Sequence, residues 1–269
     1  MASALIIISA LSLCACGEIE GPAPTINPYE GMLQVPADSD GNMLWVDKYD
    51  DLDENTLDAS LFRQSGNFLS YSGMDCRALK GIDVSEHQYD IDWEAVKAAG
   101  IEFAIIRAGY RGYTEGKLNE DAWFRENVRE ASDAGLQVGI YFFSQALNDE
   151  EAAEEADYLI SILEEYKDRI SLPVFFDWEN IATDEARTEG RLAQGLTSMA
   201  ISFCKKLQEA GYQAGVYASR TIAYYNYDLE ELDDSGIALW INGIGSYPDF
   251  YWSHDCWQYS VTGQCDGVD

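Results

Sequence analysis

The stretch Ala134-Gly-Leu-Gln-Val-Gly-Ile-Tyr-Phe-Phe143 sets a helix stop directly against a strand. Glycine just past a helix adopts the left-handed conformation that residues with a Cβ resist, so Ala134-Gly135 closes one element. Residues 137–143, rich in branched and aromatic side chains, open the next. The same junction recurs as Ala99-Gly100-Ile101 and Ala210-Gly211-Tyr212. Each marks a point where a βα unit turns back to a sheet. The interval from Gly100 to Gly135 holds one unit and that from Gly135 to Gly211 about two. Working outward, strands are expected at 81–84, 103–108, 137–143, 173–178, 213–218, 238–242 and 256–259. Between the third and fourth, Ala152, Ala153, Ala156, Leu159, Ile160 and Leu163 recur at helical spacing behind a capping-box-like Asn148 and Glu151. Leu192, Leu196, Met199, Phe203 and Leu207 do the same between the fourth and fifth. Repeated βαβ units force a parallel sheet with helices outside. Seven or eight such strands over residues 80–269 make an α/β fold, a modified TIM-like barrel whose last strands are connected too briefly to carry full helices. An open doubly wound sheet is the alternative, but no glycine-rich phosphate loop follows the first strand.

Ahead of the barrel, Pro22, Pro24, Pro28 and Pro36 interrupt regular structure, and Asp47 to Glu54 is an acidic run. Residues 17–79 therefore read as an irregular N-terminal arm or spacer, with one strand at 67–71 docking on the barrel. The first 16 residues differ again. Ala4 to Leu13 is apolar but shorter than the ~20 residues that span a bilayer, which is the pattern of an export signal. Leu13-Cys14-Ala15-Cys16-Gly17 resembles a bacterial lipoprotein cleavage box, which would leave a lipid on Cys16 and make the chain either lipid-anchored at the cell surface or, if cut nearby, secreted. An exported chain is permitted disulfides. Cys256 and Cys265 flank a segment that Gly263 can reverse, so a bridge is expected between them, whereas Cys204 lies on the apolar side of a helix and is expected to be a buried thiol.

Of 269 residues, 17 are Lys or Arg and 48 are Asp or Glu, a net charge of −31, with 47% apolar and 13% aromatic content. That is a core-bearing composition. With no basic cluster, binding to nucleic acid or electrostatic adhesion to an anionic lipid surface is excluded, because both rest on cations displacing counterions. Only His87 and His254 are present, without paired ligand spacing, so neither a metal nor another cofactor is expected.

In parallel barrels, function gathers at the carboxyl ends of the strands. Leu172-Pro-Val-Phe-Phe-Asp-Trp-Glu-Asn180 ends its strand with Asp177 and Glu179. Side chains alternate, so the two acids share a face about 6–7 Å apart along the strand, with Phe175 pointing inward beside them and Val174, Phe176 and Trp178 facing the helices. Ile82-Asp-Val-Ser85 presents Asp83 at the same rim. Two carboxylates in one cleft cannot both ionise freely, which raises one pKa and supplies a proton donor at neutral pH. Acids of this kind beside aromatic rings suit cleavage of a sugar acetal.

These residues stand within a longer pattern. Lys80-Gly-Ile-Asp-Val-Ser-Glu-His-Gln88, Ile91-Asp-Trp93, Ile105-Ile-Arg-Ala-Gly-Tyr110, Val138-Gly-Ile-Tyr-Phe-Phe143, Pro173-Val-Phe-Phe-Asp-Trp-Glu179, Gly215-Val-Tyr217, Leu239-Trp240 and Trp257-Gln-Tyr259 follow one another in the order seen in the glycoside hydrolase family 25 lysozymes, which residues 80–269 resemble. The resemblance implies hydrolysis of the β-1,4 bond between N-acetylmuramic acid and N-acetylglucosamine in peptidoglycan, by a monomer whose partner is the glycan strand. It implies Glu179 as general acid/base, Asp177 steadying the substrate N-acetyl group as that group attacks its own anomeric carbon, and Asp83 orienting water or Asp177. Direct attack by a carboxylate and an inverting path remain open. Tyr141, Tyr217, Trp240 and Tyr110 are expected to form the sugar floor, with Arg107 and Gln258 supplying hydrogen bonds. Other readings are a wall-glycan binding protein without turnover and a chitinase-like glycosidase. The family continues past the position of Gly267-Val-Asp269 into a closing strand. Either the barrel here lacks that strand, or the strand is short and Asp269 takes the place of its rim acid.

Overall fold

The computed structural model describes residues 27–37, 41–74, 76–181, 183, 185–189 and 195–268. The export signal, Cys16, Leu192 and Asp269 lie outside the described residues. The arm, read above as a spacer with one strand, forms two antiparallel hairpins. Strands β1 (Met32–Pro36) and β2 (Met43–Asp47) pair first, with Tyr29 stacked on Trp45 at 4.5 Å. Strands β3 (Phe62–Ser65) and β4 (Phe68–Tyr71) form the second hairpin, and β4 covers the strand expected at 67–71.

The barrel begins with β5 (Gly81–Val84) and α1 (Trp93–Ala98), followed by β6 (Phe103–Arg111), a short antiparallel β7 (Leu118–Glu120), α2 (Phe124–Asp133) and β8 (Gln137–Ser144). Next come α3 (Asp149–Leu163), β9 (Val174–Trp178), α4 (Leu196–Glu209) and β10 (Ala214–Ser219). Two short helices, α5 (Arg220–Asn226) and α6 (Leu229–Asp234), precede β11 (Ala238–Asn242), and no helix separates it from β12 (Cys256–Gln258). All seven expected barrel strands form. The three Ala-Gly junctions close α1, α2 and α4, with Gly100, Gly135 and Gly211 at φ +88°, +79° and +86°. At the start of α3 the Asn148 side chain accepts from Glu151 N at 2.9 Å, while the Glu151 carboxylate reaches one residue further back, to Leu147 N at 3.0 Å. Acids in that first turn also complement the helix dipole.

The parallel strands run in the order β12-β11-β10-β9-β8-β6-β5 and curl so that the two ends approach each other. Among the described residues no backbone ladder joins β5 to β12. Residues 259–268 form no strand; instead the Gly267 carbonyl accepts from Asp92 N at 2.9 Å, beside the start of α1. A side-chain bond spans the seam, from Gln258 Nε2 to Asp83 Oδ2 at 3.0 Å. The β3–β4 hairpin packs beside it. Phe62 meets Trp257 edge-on at 5.9 Å, Leu69 N donates to Tyr259 Oη at 3.4 Å, and Asn67 Nδ2 donates to the Gln264 carbonyl at 3.2 Å. Between the hairpins, Asn55 ties the arm to the β11–β12 connection, its amide bonding the carbonyls of Pro248 and Phe250 at 3.0 Å each.

Two apolar clusters result. The larger fills the space between sheet and helices and includes Val174, Phe176 and Trp178; the smaller, Ile105, Phe175, Tyr217 and Trp240, fills the inside of the curl. Alternation along β9 thus divides as the sequence predicts. The expected Cys256–Cys265 bridge is absent, and both thiols are free. The reason is this division: Cys256 packs on the inner cluster and Cys265 on the outer one. Cys204 is a buried thiol on α4, as expected.

Candidate active site

The ladder fixes Asp177 on both sides, opposite Phe143 of β8 and Tyr217 of β10. Its side chain is 5% exposed, and Oδ1 has no hydrogen-bond partner among the described residues. Burial, then the neighbouring Glu179 and Asp83 carboxylates, raise its pKa well above the usual range, against the opposing pull of Arg107. Burial raises Glu179 too. At Asp83 burial again raises the pKa, and the bond from Gln258 works the other way. Asp83 keeps contact with solvent even though protein surrounds its carboxyl, because the hollow is open at that point. Exposure on that side moderates desolvation, so the push is stronger on Asp177. Three acids from two strands therefore act on one another in a hollow that disfavours full ionisation.

Tyr217, Gln258 and Asn242 extend the Asp83 contact into a network. Tyr217 Oη donates to Gln258 Oε1 at 2.8 Å, and Asn242 Nδ2 donates to Tyr217 Oη at 2.9 Å and to Gln258 Oε1 at 2.7 Å. Trp240 is the hub of the inner aromatic cluster, 4.7 Å from Tyr217, 5.2 Å from Phe175 and 6.3 Å from Tyr141. A cavity of about 610 Å³ opens along the seam, lined among others by Asp83, Tyr141, Trp240, Gln258 and Cys256. It meets the acid cluster through Asp83, and Asp177 and Glu179 lie beyond its lining.

The structure gathers Asp83, Asp177, Glu179, Tyr141, Tyr217, Trp240 and Gln258 at one end of the sheet. Arg107 is placed differently from a free hydrogen-bond donor. Its Nε bonds Asp121 at 2.7 Å, its Nη2 bonds Glu86 at 3.0 Å, and its guanidinium lies 5.1 Å from the Tyr110 ring centre. A bulge between Arg107 and Gly109 inserts one residue into β6, so that Arg107 pairs with Tyr141 and Tyr110 with Phe143, two positions of the same parity on β8. Simple alternation sets Arg107 and Tyr110 on opposite faces; the bulge reunites them. Asn242, Glu86 and Asp121 escaped the sequence reading. Asn242 was accessible to it, being two residues after Trp240 and so on the same face; Glu86 and Asp121 lie outside the strands and gave no periodic signal.

An acid-lined hollow at the carboxyl ends of a curled parallel sheet defines an α/β half-barrel. Residues 82–268 match the family described as glycosyl hydrolases family 25, and the chain belongs to that family. Two curated relatives agree. "Lysozyme M1" of Streptomyces globisporus is 29% identical over 205 residues, 72% of this chain and 66% of its own, and "Autolytic lysozyme" of Clostridium acetobutylicum is 28% identical over 193 residues, 71% and 53% respectively. The chain thus spans between about half and two thirds of the length of these relatives. Among solved structures, the modular autolysin LytC of Streptococcus pneumoniae, in complex with a synthetic peptidoglycan ligand, aligns with TM-score 0.63 at 20% identity over 89% of this chain and 55% of that one. The bacterial lysozyme of Streptomyces coelicolor aligns with TM-score 0.57 at 24% identity over 71% and 88%. These likenesses establish the shared fold.

Proposed function

We propose that the protein hydrolyses the β-1,4 bond between N-acetylmuramic acid and N-acetylglucosamine in peptidoglycan. The observation that carries this reading is the placement of Asp177, buried, unpartnered at Oδ1 and raised in pKa by both Glu179 and Asp83. A glycan-binding protein without turnover gains nothing from burying like charges together, and the names of the curated relatives point the same way. Glu179, raised by burial, holds a proton for the leaving oxygen. Asp177 would steady the substrate N-acetyl group as that group attacks its own anomeric carbon, and Asp83, bonded by Gln258, would orient water or Asp177. Tyr141 and Trp240 line the cavity and are the rings that would meet the sugar, while Tyr217, buried beside Trp240, backs them. Arg107, already paired, acts through the field it sets at Asp177.

Digestion of purified peptidoglycan followed by reducing-end analysis tests the assignment. Muramic acid ends are expected; glucosamine ends would indicate a chitinase-like cut, and binding without new ends a non-catalytic protein. Glu179→Gln is expected to lose more than about 100-fold in turnover, the usual scale for general acid–base catalysis, while remaining folded. A variant that still clears walls at the unmodified rate would refute the role of Glu179. Residues 1–16 serve export, and Cys16 carries the lipid that holds the protein at the cell surface, where the glycan strand is its partner. Mass spectrometry of the mature chain checks this, an unmodified Cys16 counting against it. Light scattering is expected to report a monomer.

A further inference from the structure

Glu179 lies one residue past the last paired position of β9, because the ladder to β8 ends at Ser144 opposite Trp178. Sheet hydrogen bonds therefore hold Asp177 and leave Glu179 to other contacts. These come from the loop leaving β8. Gln145 Nε2 donates to the Glu179 carbonyl at 2.7 Å and to the Ser144 carbonyl at 2.8 Å, and Gln145 Oε1 accepts from Thr188 Oγ1 at 3.1 Å. One residue on, the Ala146 carbonyl accepts from the Trp178 indole at 3.0 Å, and Ala146 N donates to Ser144 Oγ at 3.1 Å. Ser144, Gln145 and Thr188 are fully buried. A buried amide is costly unless its donors and acceptor are engaged, and this one uses both donors and its oxygen. Three bonds in three directions leave it a single orientation. The carbonyl of the residue after the strand is thereby held by a buried donor where the ladder has ended.

Resting on the reading of Glu179 as the proton donor, we infer that Gln145 is a positioning residue that holds the backbone from which the Glu179 carboxyl projects beside Asp177, with Thr188 locking the amide in place. The residue type fits the task. An ionised carboxylate at 145 would face the carbonyl oxygens of Ser144 and Glu179 with no proton to share, whereas a protonated one keeps a single donor. A leucine keeps the volume and loses every bond.

The test uses the full chain acting on soluble peptidoglycan glycan fragments, with kcat and KM measured across pH beside Glu179→Gln. Gln145→Leu is expected to lower kcat about 10–100-fold, the effect of roughly 1 Å of misplacement at a reacting group, with KM within about 3-fold because Gln145 is buried behind the cleft. Gln145→Glu is expected to show a similar loss at neutral pH that narrows relative to wild type as pH falls and the new carboxyl takes up a proton. Should Gln145→Leu fail to fold, Thr188→Val, which removes one bond of the three, is expected to lower kcat about 3–10-fold with KM unchanged. Wild-type kcat and pH profile in the folded variants, or a change confined to KM, would overturn the positioning role, provided Glu179→Gln is inactive. Full activity of Glu179→Gln would instead strike at the reading on which the inference rests.

Discussion

Asp177 bears the least favourable charge in the hollow. Its folded pKa is raised by burial and by two neighbouring acids, so between its unfolded value near ~3.9 and its folded value the native chain holds a proton that the unfolded chain has released. Stability from this group is complete at low pH and is lost as pH rises through the folded pKa. Asp177→Asn removes the charge and keeps the shape. It is expected to raise the midpoint of thermal unfolding at pH 7 by about 2–4 °C, equivalent to about 1 kcal/mol for a domain of this size, and to lose that advantage as pH falls through the folded pKa, with none left by about pH 4. Turnover is expected to fall in the same variant. Calorimetry across pH reads the first effect; a midpoint at pH 7 below that of wild type would show that the carboxylate stabilises rather than strains the fold. The free thiols differ in a related way. Burial, followed by the field of Asp83, pushes Cys256 up to about 12, so it is expected to resist alkylation at pH 7.5 in the folded protein, while exposed Cys76 reacts. Peptide mapping after brief labelling compares the two, and equal modification would contradict the placement of Cys256.

At the scale of elements, the tail after β12 depends on Gly267. Its φ is +94°, and a Cβ there would stand 2.4 Å from the Asp92 carbonyl oxygen. Gly267→Ala must both strain the backbone and displace the tail from α1, a cost of about 1–3 kcal/mol for the strain alone. A lowered unfolding midpoint and faster amide exchange at Asp92 are expected; unchanged values would mean that the tail contributes nothing to the fold. Much at this scale was legible in the sequence. The three Ala-Gly junctions and the alternation in 173–178 specify parallel units and the inward face because backbone sterics and the pleat admit few alternatives. Three features were hidden. The β6 bulge shifts parity by one residue, and nothing in Arg107-Ala-Gly-Tyr110 forces it. The arm's hairpins read as spacer because Pro28 precedes β1 and Pro36 ends it, and short, mixed-polarity strands give no clear period. The expected disulfide rested on chain reversal at Gly263, but which apolar cluster each sulfur joins is decided by the whole sheet. Within the site, Asp83, Asp177 and Glu179 were readable from strand ends, whereas Gln145 lies past the end of β8, where alternation no longer applies.

Across the whole molecule, basic side chains are few and several of them are committed to buried or half-buried pairs, as with Arg107, Arg111 and Arg220. The remaining surface carries the bulk of the −31 charge. Self-repulsion of that kind weakens with screening, whose range falls from ~30 Å at 0.01 M salt to ~10 Å at 0.1 M. The unfolding midpoint is expected to rise over this interval; a fall would show that attractive pairs outweigh the repulsion. The contact between Gln258 and Asp83 has a different kind of reach, joining side chains 175 residues apart. A ribosome working at about 5–20 residues per second needs about 9–35 s to make the distance between them. Through that interval the first acid of the hollow waits for its amide partner, so a nascent chain stopped before Cys256 carries every carboxylate of the site without the group that holds Asp83. The acid-bearing hollow is thereby assembled in full only once β12 has been made.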